Sequence, residues 1–341
     1  MPDSAPVLPA ASQPADPLDK LLLAMQRGGD FPALSASVAR IVEITGSDSG
    51  SAAELAEQIL ADVTLTHKLL RLVNSVHHAQ ASQGNVASVA RAVVLVGFNA
   101  VRNLALGLVL LEHVPDQAQA ARMKLEFLRA LLAATVAGEL CAVRQDVEEV
   151  FLGAMFQNLG RLLAGYYFPH EAAEVRRLQA VAQLSEEAAS ARVLGLHYEG
   201  FGAGVARLWG LPEPVLRYLR KPVGAPPIRR VESAAERMRW LVLAANELAD
   251  QLAREPVVPA AAPPAAPAPG TAVQQARTTV RRWAERFGHA LGQRPEAMEQ
   301  SVAAALAKLR PMLQSLQLGP PAGAALEALL AAGPARPDAG G

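Results

Sequence analysis

The chain has 341 residues, enough for one large or two modest domains, and 51% of them are apolar. Aromatic residues are only 4%, and 32 basic side chains balance 32 acidic ones. Ala and Leu therefore dominate the core-forming set, which favours helices over strands, and a formal net charge of zero gives no bulk attraction to nucleic acid or anionic membranes. The lone Cys141 excludes an intramolecular disulfide and a multi-cysteine metal site, and fits a reducing cytosol.

Residues 1–17 carry five prolines and no Lys or Arg, and read as a flexible segment rather than a secretory signal. The longest apolar run, Leu104 to Leu111, is far short of a membrane span. From Leu18 the pattern is helical. Leu18 to Arg27 stops at Gly28-Gly29, and Phe31-Pro32 is forced extended. Ser35 caps a helix with Val38, Ile41 and Val42 on one face. Ser51 and Glu54 form a capping box, and Asp62 opens a helix through Leu65, Leu69, Leu72 and Val76. Further helices fit Ser88 to Val96, Ala100 to His113 and Leu125 to Val143.

Asp146 to Ala164 reads as one helix with Gln157-Asn158 in its middle. Helices over Glu171 to Ala182, Ser185 to Leu194, Gly200 to Trp209, a short one from Pro212, and Val231 to Ala253 complete a domain spanning 18–253. Residues 254–270 are a Pro/Ala-rich linker. Residues 271–317 read as an amphipathic hairpin, with Met298, Val302, Leu306 and Leu309 on one face of its second helix. Residues 318–341 read as a disordered tail. The expected class is all-α, a multi-helix bundle followed by a linker and a short C-terminal helical segment.

The ordered series Phe31-Pro32-Ala33-Leu34, Leu69 to Ser75 after Asp62, Ser88 to Ala92 with Leu95-Val96-Gly97, and Val101 to Leu104 continues through later segments. These are Phe151 to Met155, Asn158 to Leu162, Leu194 to Tyr198 and Leu208 to Pro212. Together these motifs resemble the HDOD family, the non-enzymatic relatives of the HD phosphohydrolase superfamily, over roughly residues 20–250. The resemblance implies an HD-like helical bundle and a bacterial, cytoplasmic signal-transduction adaptor that acts through protein contacts. Its implied partners are signalling proteins: kinase, receiver or cyclic-di-nucleotide proteins. The catalytic cousins hold metal with a His, a His-Asp pair and a distant Asp. On those positions the resemblance places Arg129, Gln157, Asn158 and Asn246, and Arg220-Lys221 falls where many relatives carry adjacent histidines. Amides are poor ligands for divalent cations beside imidazole and carboxylate, so neither cofactor, metal nor catalytic activity is expected. A degenerate metal-dependent phosphohydrolase and a nucleotide sensor using the vacated pocket are the alternatives.

Gln157 and Asn158 either bind a ligand or satisfy neighbouring backbone groups inside the bundle. Arg161 either binds an anion or pairs internally with a carboxylate. Asn74 belongs to the same polar set, and the adjacent His77 and His78 point about 100° apart on a helix and chelate poorly. His197 is the best single histidine for a polar site, with capping of a helix weighed above ligation. Gly200, Gly202 and Gly204 do not follow a strand, so they suit close helix approach rather than a phosphate loop. Cys141 reads as an inert thiol. In the C-terminal hairpin, seven basic residues against three acidic over Thr271 to Arg310 are too few to indicate nucleic acid. Trp283 and Phe287 are candidate docking anchors, for the chain's own domain or for self-association.

Overall fold

The computed structural model describes residues 16–27, 59, 117–208, 213–253, 269–316 and 324–332, and every regular element among them is helical. In chain order these are α1 (Pro17–Arg27), α2 (Gln117–Leu140), a 3-10 turn (Arg144–Asp146), α3 (Val147–Phe156), α4 (Leu159–Tyr167) and α5 (Pro169–Ala182). They continue with α6 (Glu186–Leu194), α7 (Tyr198–Leu208), α8 (Glu213–Leu219), α9 (Ala234–Leu252), α10 (Pro269–Leu291), α11 (Pro295–Leu316) and α12 (Ala324–Ala332). Apart from Ile59, which is helical and buried, the expected helices between Ser35 and His113, with Asn74 and the four histidines there, lie outside the described residues, as do residues 254–268 of the expected linker.

α2 is the axis of the bundle. Phe127, Leu131, Leu132, Ala134 and Val136 are buried on it, and it packs against α3 and α9 on one side and α11 on the other. Alanines recur at the crossings (Ala133, Ala137, Ala244, Ala245, Ala249), and their short side chains let helix axes approach closely. Local caps fix the ends. Ser185 accepts from Ala188 N–H at 3.1 Å to start α6, and Ser233 accepts from Glu236 N–H at 3.4 Å to start α9.

Three expectations need correction. The helix expected over Asp146 to Ala164 is two helices, broken at Gln157-Asn158, where Asn158 leaves helical geometry with φ −101° and ψ 26°. The new direction lets α4 cross α7 in backbone contact: a Cβ on Gly160 would sit 1.9 Å from Tyr198 O, and one on Gly202 would sit 2.6 Å from Gly160 N. Hydrophobic spacing runs straight through such a break, so periodicity did not register it.

The expected disordered tail contains a helix, α12, with Leu326 fully buried and Leu330 nearly so. Arg310 donates to Leu330 O. Its sequence AALEALLAA is made of strong helix formers, masked by flanking Gly and Pro when composition is averaged.

The C-terminal hairpin starts earlier than expected and packs on the chain's own domain, one of the two arrangements weighed for it. Its first helix begins at Pro269, inside the expected linker, and its apolar side chains join the same core as α2 and α9. Trp283 and Phe287 are buried, and Trp283 Nε1–H donates to Ala244 O at 2.8 Å. Val231 N–H donates to Ala290 O at 3.0 Å, and Gln293 Nε2–H donates to Leu140 O at 2.7 Å. Both anchors are used on the chain's own domain. None of the described helices is long and apolar enough to cross a membrane.

Candidate functional site

The α3–α4 break points its polar side chains inward. Gln157, 3% exposed, donates from Nε2 to Tyr218 O at 3.1 Å, which ties the break to α8. Asn158 Nδ2–H donates to Asn246 Oδ1 on α9 at 2.9 Å. Asn246 in turn donates from Nδ2 to Ala154 O and to Val242 O, both at 3.0 Å. Those two carbonyls fix the amide's orientation, so Asn246 can only offer its oxygen to Asn158. Three of the four positions matched to a metal-ligand set thus form one layer of amides bonded to each other and to helix carbonyls. Gln157 Oε1 is buried there without a hydrogen-bond partner, as is Nε of Arg129, the fourth position.

One helical turn further along lies a second, charged layer. Arg161, three residues beyond Asn158, donates from Nη2 and Nη1 to the two carboxylate oxygens of Asp250 at 2.8 and 3.1 Å. Its Nε donates to Glu126 Oε2 at 2.7 Å, and Nη1 reaches Glu186 Oε1 at 3.3 Å. Arg129 pairs with Glu126 Oε1 at 2.5 Å, and its Nε lies 3.8 Å from Asp250 Oδ1. Lys221 Nζ sits 3.7 Å from Glu186 Oε2. Three cations (Arg129, Arg161, Lys221) and three carboxylates (Glu126, Glu186, Asp250) cancel in charge.

Burial by itself would lower the Arg161 pKa, but Asp250, Glu126 and Glu186 hold it well above the usual guanidinium value. Burial would likewise raise the Asp250 carboxyl, and the Arg161 guanidinium overrides it, with Arg129 and Lys221 assisting, to hold it below the ordinary carboxylate value.

The structure therefore brings Asn158, Asn246 and Gln157 together and puts Arg129 with Arg161 in the neighbouring ionic layer. His197 lies apart and exposed; its Nδ1 accepts from Gly200 N–H at 3.0 Å and caps the first turn of α7. Cys141 is half-buried, its thiol pKa raised by burial, with Sγ donating to Val143 O at 3.3 Å. Sequence reasoning missed Glu126, Glu186 and Asp250. A signal for two of them was present: Glu126 precedes Arg129 by three residues and Asp250 follows Asn246 by four, so both share a helix face with a singled-out position.

The donor set does not fit a divalent cation. The HD superfamily's pocket implies imidazole and carboxylate ligands. Here the corresponding positions are amides and a guanidinium, and the nearest carboxylates are taken by Arg161 and Arg129. Among the described residues no group of three or more His, Cys, Asp and Glu is arranged to hold a metal.

Fold and site together define an all-helical bundle in which an inward-facing layer of amides lies one turn from a layer of internal ion pairs. The HDOD domain profile matches residues 31–222, more than half of the chain, and the chain belongs to the HDOD family. The fold is similar to that of a candidate phosphohydrolase from Shewanella amazonensis, at 18% identity and a TM-score of 0.53, over 86% of this chain and 97% of that one. It is similar also to an HDOD domain protein of unknown function from Geobacter sulfurreducens, at 16% identity and a TM-score of 0.50, over 89% of this chain and 99% of that one. A third likeness, at 20% identity and a TM-score of 0.50, is to a candidate signal-transduction protein from Marinobacter aquaeolei, over 89% of this chain and 66% of that one. No curated protein sequence matches the chain.

Proposed function

We propose that this chain is a non-enzymatic signal-transduction adaptor of bacterial cytoplasm, acting through protein contacts on its helical surface. The observation that carries this reading is the wiring of Asn158 to Asn246, two positions where a catalytic relative would hold metal. Metal-assisted phosphoester hydrolysis needs a cation to polarise the phosphate and generate hydroxide at neutral pH. The side chains here supply hydrogen bonds to one another instead. Signalling proteins of the kinase, receiver or cyclic-di-nucleotide classes are the proposed partners.

The nucleotide-sensor alternative draws less support, because Arg129, the cation it needs, is paired with Glu126 through Nη1, although its buried Nε, 3.8 Å from Asp250, has no hydrogen-bond partner. A degenerate hydrolase with a rebuilt metal site would draw on His197 and a carboxylate such as Glu199. His197 accepts from a backbone amide, and Glu199 Oε2 accepts from Lys221 N–H at 3.1 Å.

The test is turnover of bis(p-nitrophenyl) phosphate and of cyclic dinucleotides with manganese, iron or zinc supplied. The adaptor reading expects rates indistinguishable from buffer. Saturable, metal-dependent turnover by the pure chain contradicts it.

A further inference from the structure

The α8–α9 connection carries the two most exposed large aliphatic side chains among the described residues: Val223 is 97% exposed and Ile228 is 86% exposed. Water-facing Val and Ile of this degree in one short loop gain nothing from the fold. The connection is nevertheless held in place. Pro222, Pro226 and Pro227 fix three φ angles, and Gly224 takes φ +90°, which side chains disfavour. At one end Arg239 donates to Arg220 O at 3.0 Å and to Lys221 O at 3.3 Å, and Lys221 N–H is bound by Glu199. At the other, Arg237 donates to Val231 O at 2.8 Å, while Val231 N–H is bound by α10. A loop pinned at both ends and stiffened between them loses little entropy on docking.

Its charge has one sign. Between Glu213 and Glu232 there is no carboxylate, and there are five cations: Arg217, Arg220, Lys221, Arg229 and Arg230. Arg217 reaches Glu149 at 3.9 Å and Lys221 reaches Glu186. Arg220, Arg229 and Arg230 are exposed, and no carboxylate among the described residues pairs with them. Aliphatic contacts rimmed by uncompensated arginines are complementary to a surface that alternates apolar and acidic groups.

We propose that the 220–230 loop is a docking site for an acidic protein segment carrying aliphatic side chains. The site rests on the adaptor reading and names the surface through which it acts. A lipid surface is the poorer occupant. Membrane-binding patches gather more cations and insert aromatic or long-chain wedges, whereas this loop offers only Val and Ile, on a chain of zero net charge.

The experiment uses the full chain and a short fluorescein-labelled peptide alternating Asp/Glu with Leu/Val, titrated by anisotropy. Saturable binding is expected, weakened about tenfold or more (~1.4 kcal/mol) by Val223→Ser with Ile228→Ser, lost on Arg229→Glu with Arg230→Glu, and weakened by salt. Val223, Ile228 and Arg229 are exposed, and Arg230 is exposed with its stem against Gly292, so unchanged melting of the Val223/Ile228 variant is expected and separates docking from folding. Absence of saturable binding, equal binding of the Gln/Asn version of the peptide, or equal binding by both loop variants overturns the proposal. So does cosedimentation with phosphatidylglycerol-containing vesicles that the peptide fails to compete.

A photocrosslinking residue at position 223 and another at Val181, exposed on α5, separate the two levels in producing cells. Discrete adducts at 181 but not at 223 sink the loop and leave the adaptor reading standing. Metal-dependent phosphoester turnover sinks the adaptor reading itself.

Discussion

Asn158 Nδ2–H meets Asn246 Oδ1 at 2.9 Å across 88 residues of chain, and this bond ties the α3–α4 break to the middle of α9. Asn158→Ala leaves Asn246 Oδ1 without its donor and is expected to cost about 1–3 kcal/mol. Asn158→Asp gives a signature that simple truncation lacks. Asn246 cannot reverse its amide, because its Nδ2 is held by Ala154 O and Val242 O. A protonated Asp can donate to that oxygen and an ionised one cannot. Folding therefore raises the new carboxyl's pKa, and the variant's deficit grows as pH rises from the ordinary carboxylate value near 4 up through the raised folded value. Chemical denaturation across pH checks both.

Arg161 holds three carboxylates. Arg161→Ala is expected to cost about 2–3 kcal/mol, below the 3–5 of a fully buried pair because the Asp250 side chain is 34% exposed. Arg161→Lys should recover little, since one ammonium cannot replace the two-pronged bond to Asp250. Equal melting of the Lys variant and the native chain would remove the geometric part of this account.

Asp250 gives the chain an acid limb. Its folded pKa is held below the ordinary 3.8, so its contribution is complete above that value and is lost as pH falls through the folded pKa. Asp250→Asn should lower stability at neutral pH and flatten its fall below about pH 4. Parallel pH profiles for native and variant chains would be the contrary result.

At the α4–α7 crossing there is no room for a methyl group, because Tyr198 O lies where a Gly160 Cβ would stand. Gly160→Ala must push the helices apart, at a cost of at least about 1–3 kcal/mol. Gly165→Ala, whose new Cβ would meet Met123 Sδ at an ordinary 3.5 Å, is the matched control and should melt close to native.

Trp283 is fully inserted against α9. Trp283→Ala is expected to cost about 3–5 kcal/mol, and ending the chain after residue 253 should uncover the apolar faces of α2 and α9 and cause aggregation. A monomeric, native-like chain ending there would mean that the C-terminal helices are dispensable.

Much of this arrangement was legible in the residues. Periodicity placed Met298, Val302, Leu306 and Leu309 on one buried face of α11, and Ser185 announced the start of α6. The amide pair at Gln157-Asn158 stood out because its chemistry departs from the motif around it. The ionic layer did not, since Glu126, Glu186 and Asp250 look like ordinary solvated charges until three helices converge on Arg161. The break at Asn158 was hidden for a related reason: it goes with the Gly160–Tyr198 approach, a contact between segments far apart in sequence. Local patterns record which face is buried, and tertiary contacts decide where a helix must bend.

The central claim is that the amide layer at Asn158–Asn246 and the ion pairs beside it hold no metal. Elemental analysis of the pure chain after exposure to manganese, iron and zinc tests it most directly. The account predicts less than about a tenth of an equivalent bound, because amides and guanidinium-bound carboxylates compete poorly with water for these cations. A full equivalent that is lost on Asn158→Ala and Asp250→Asn would contradict it.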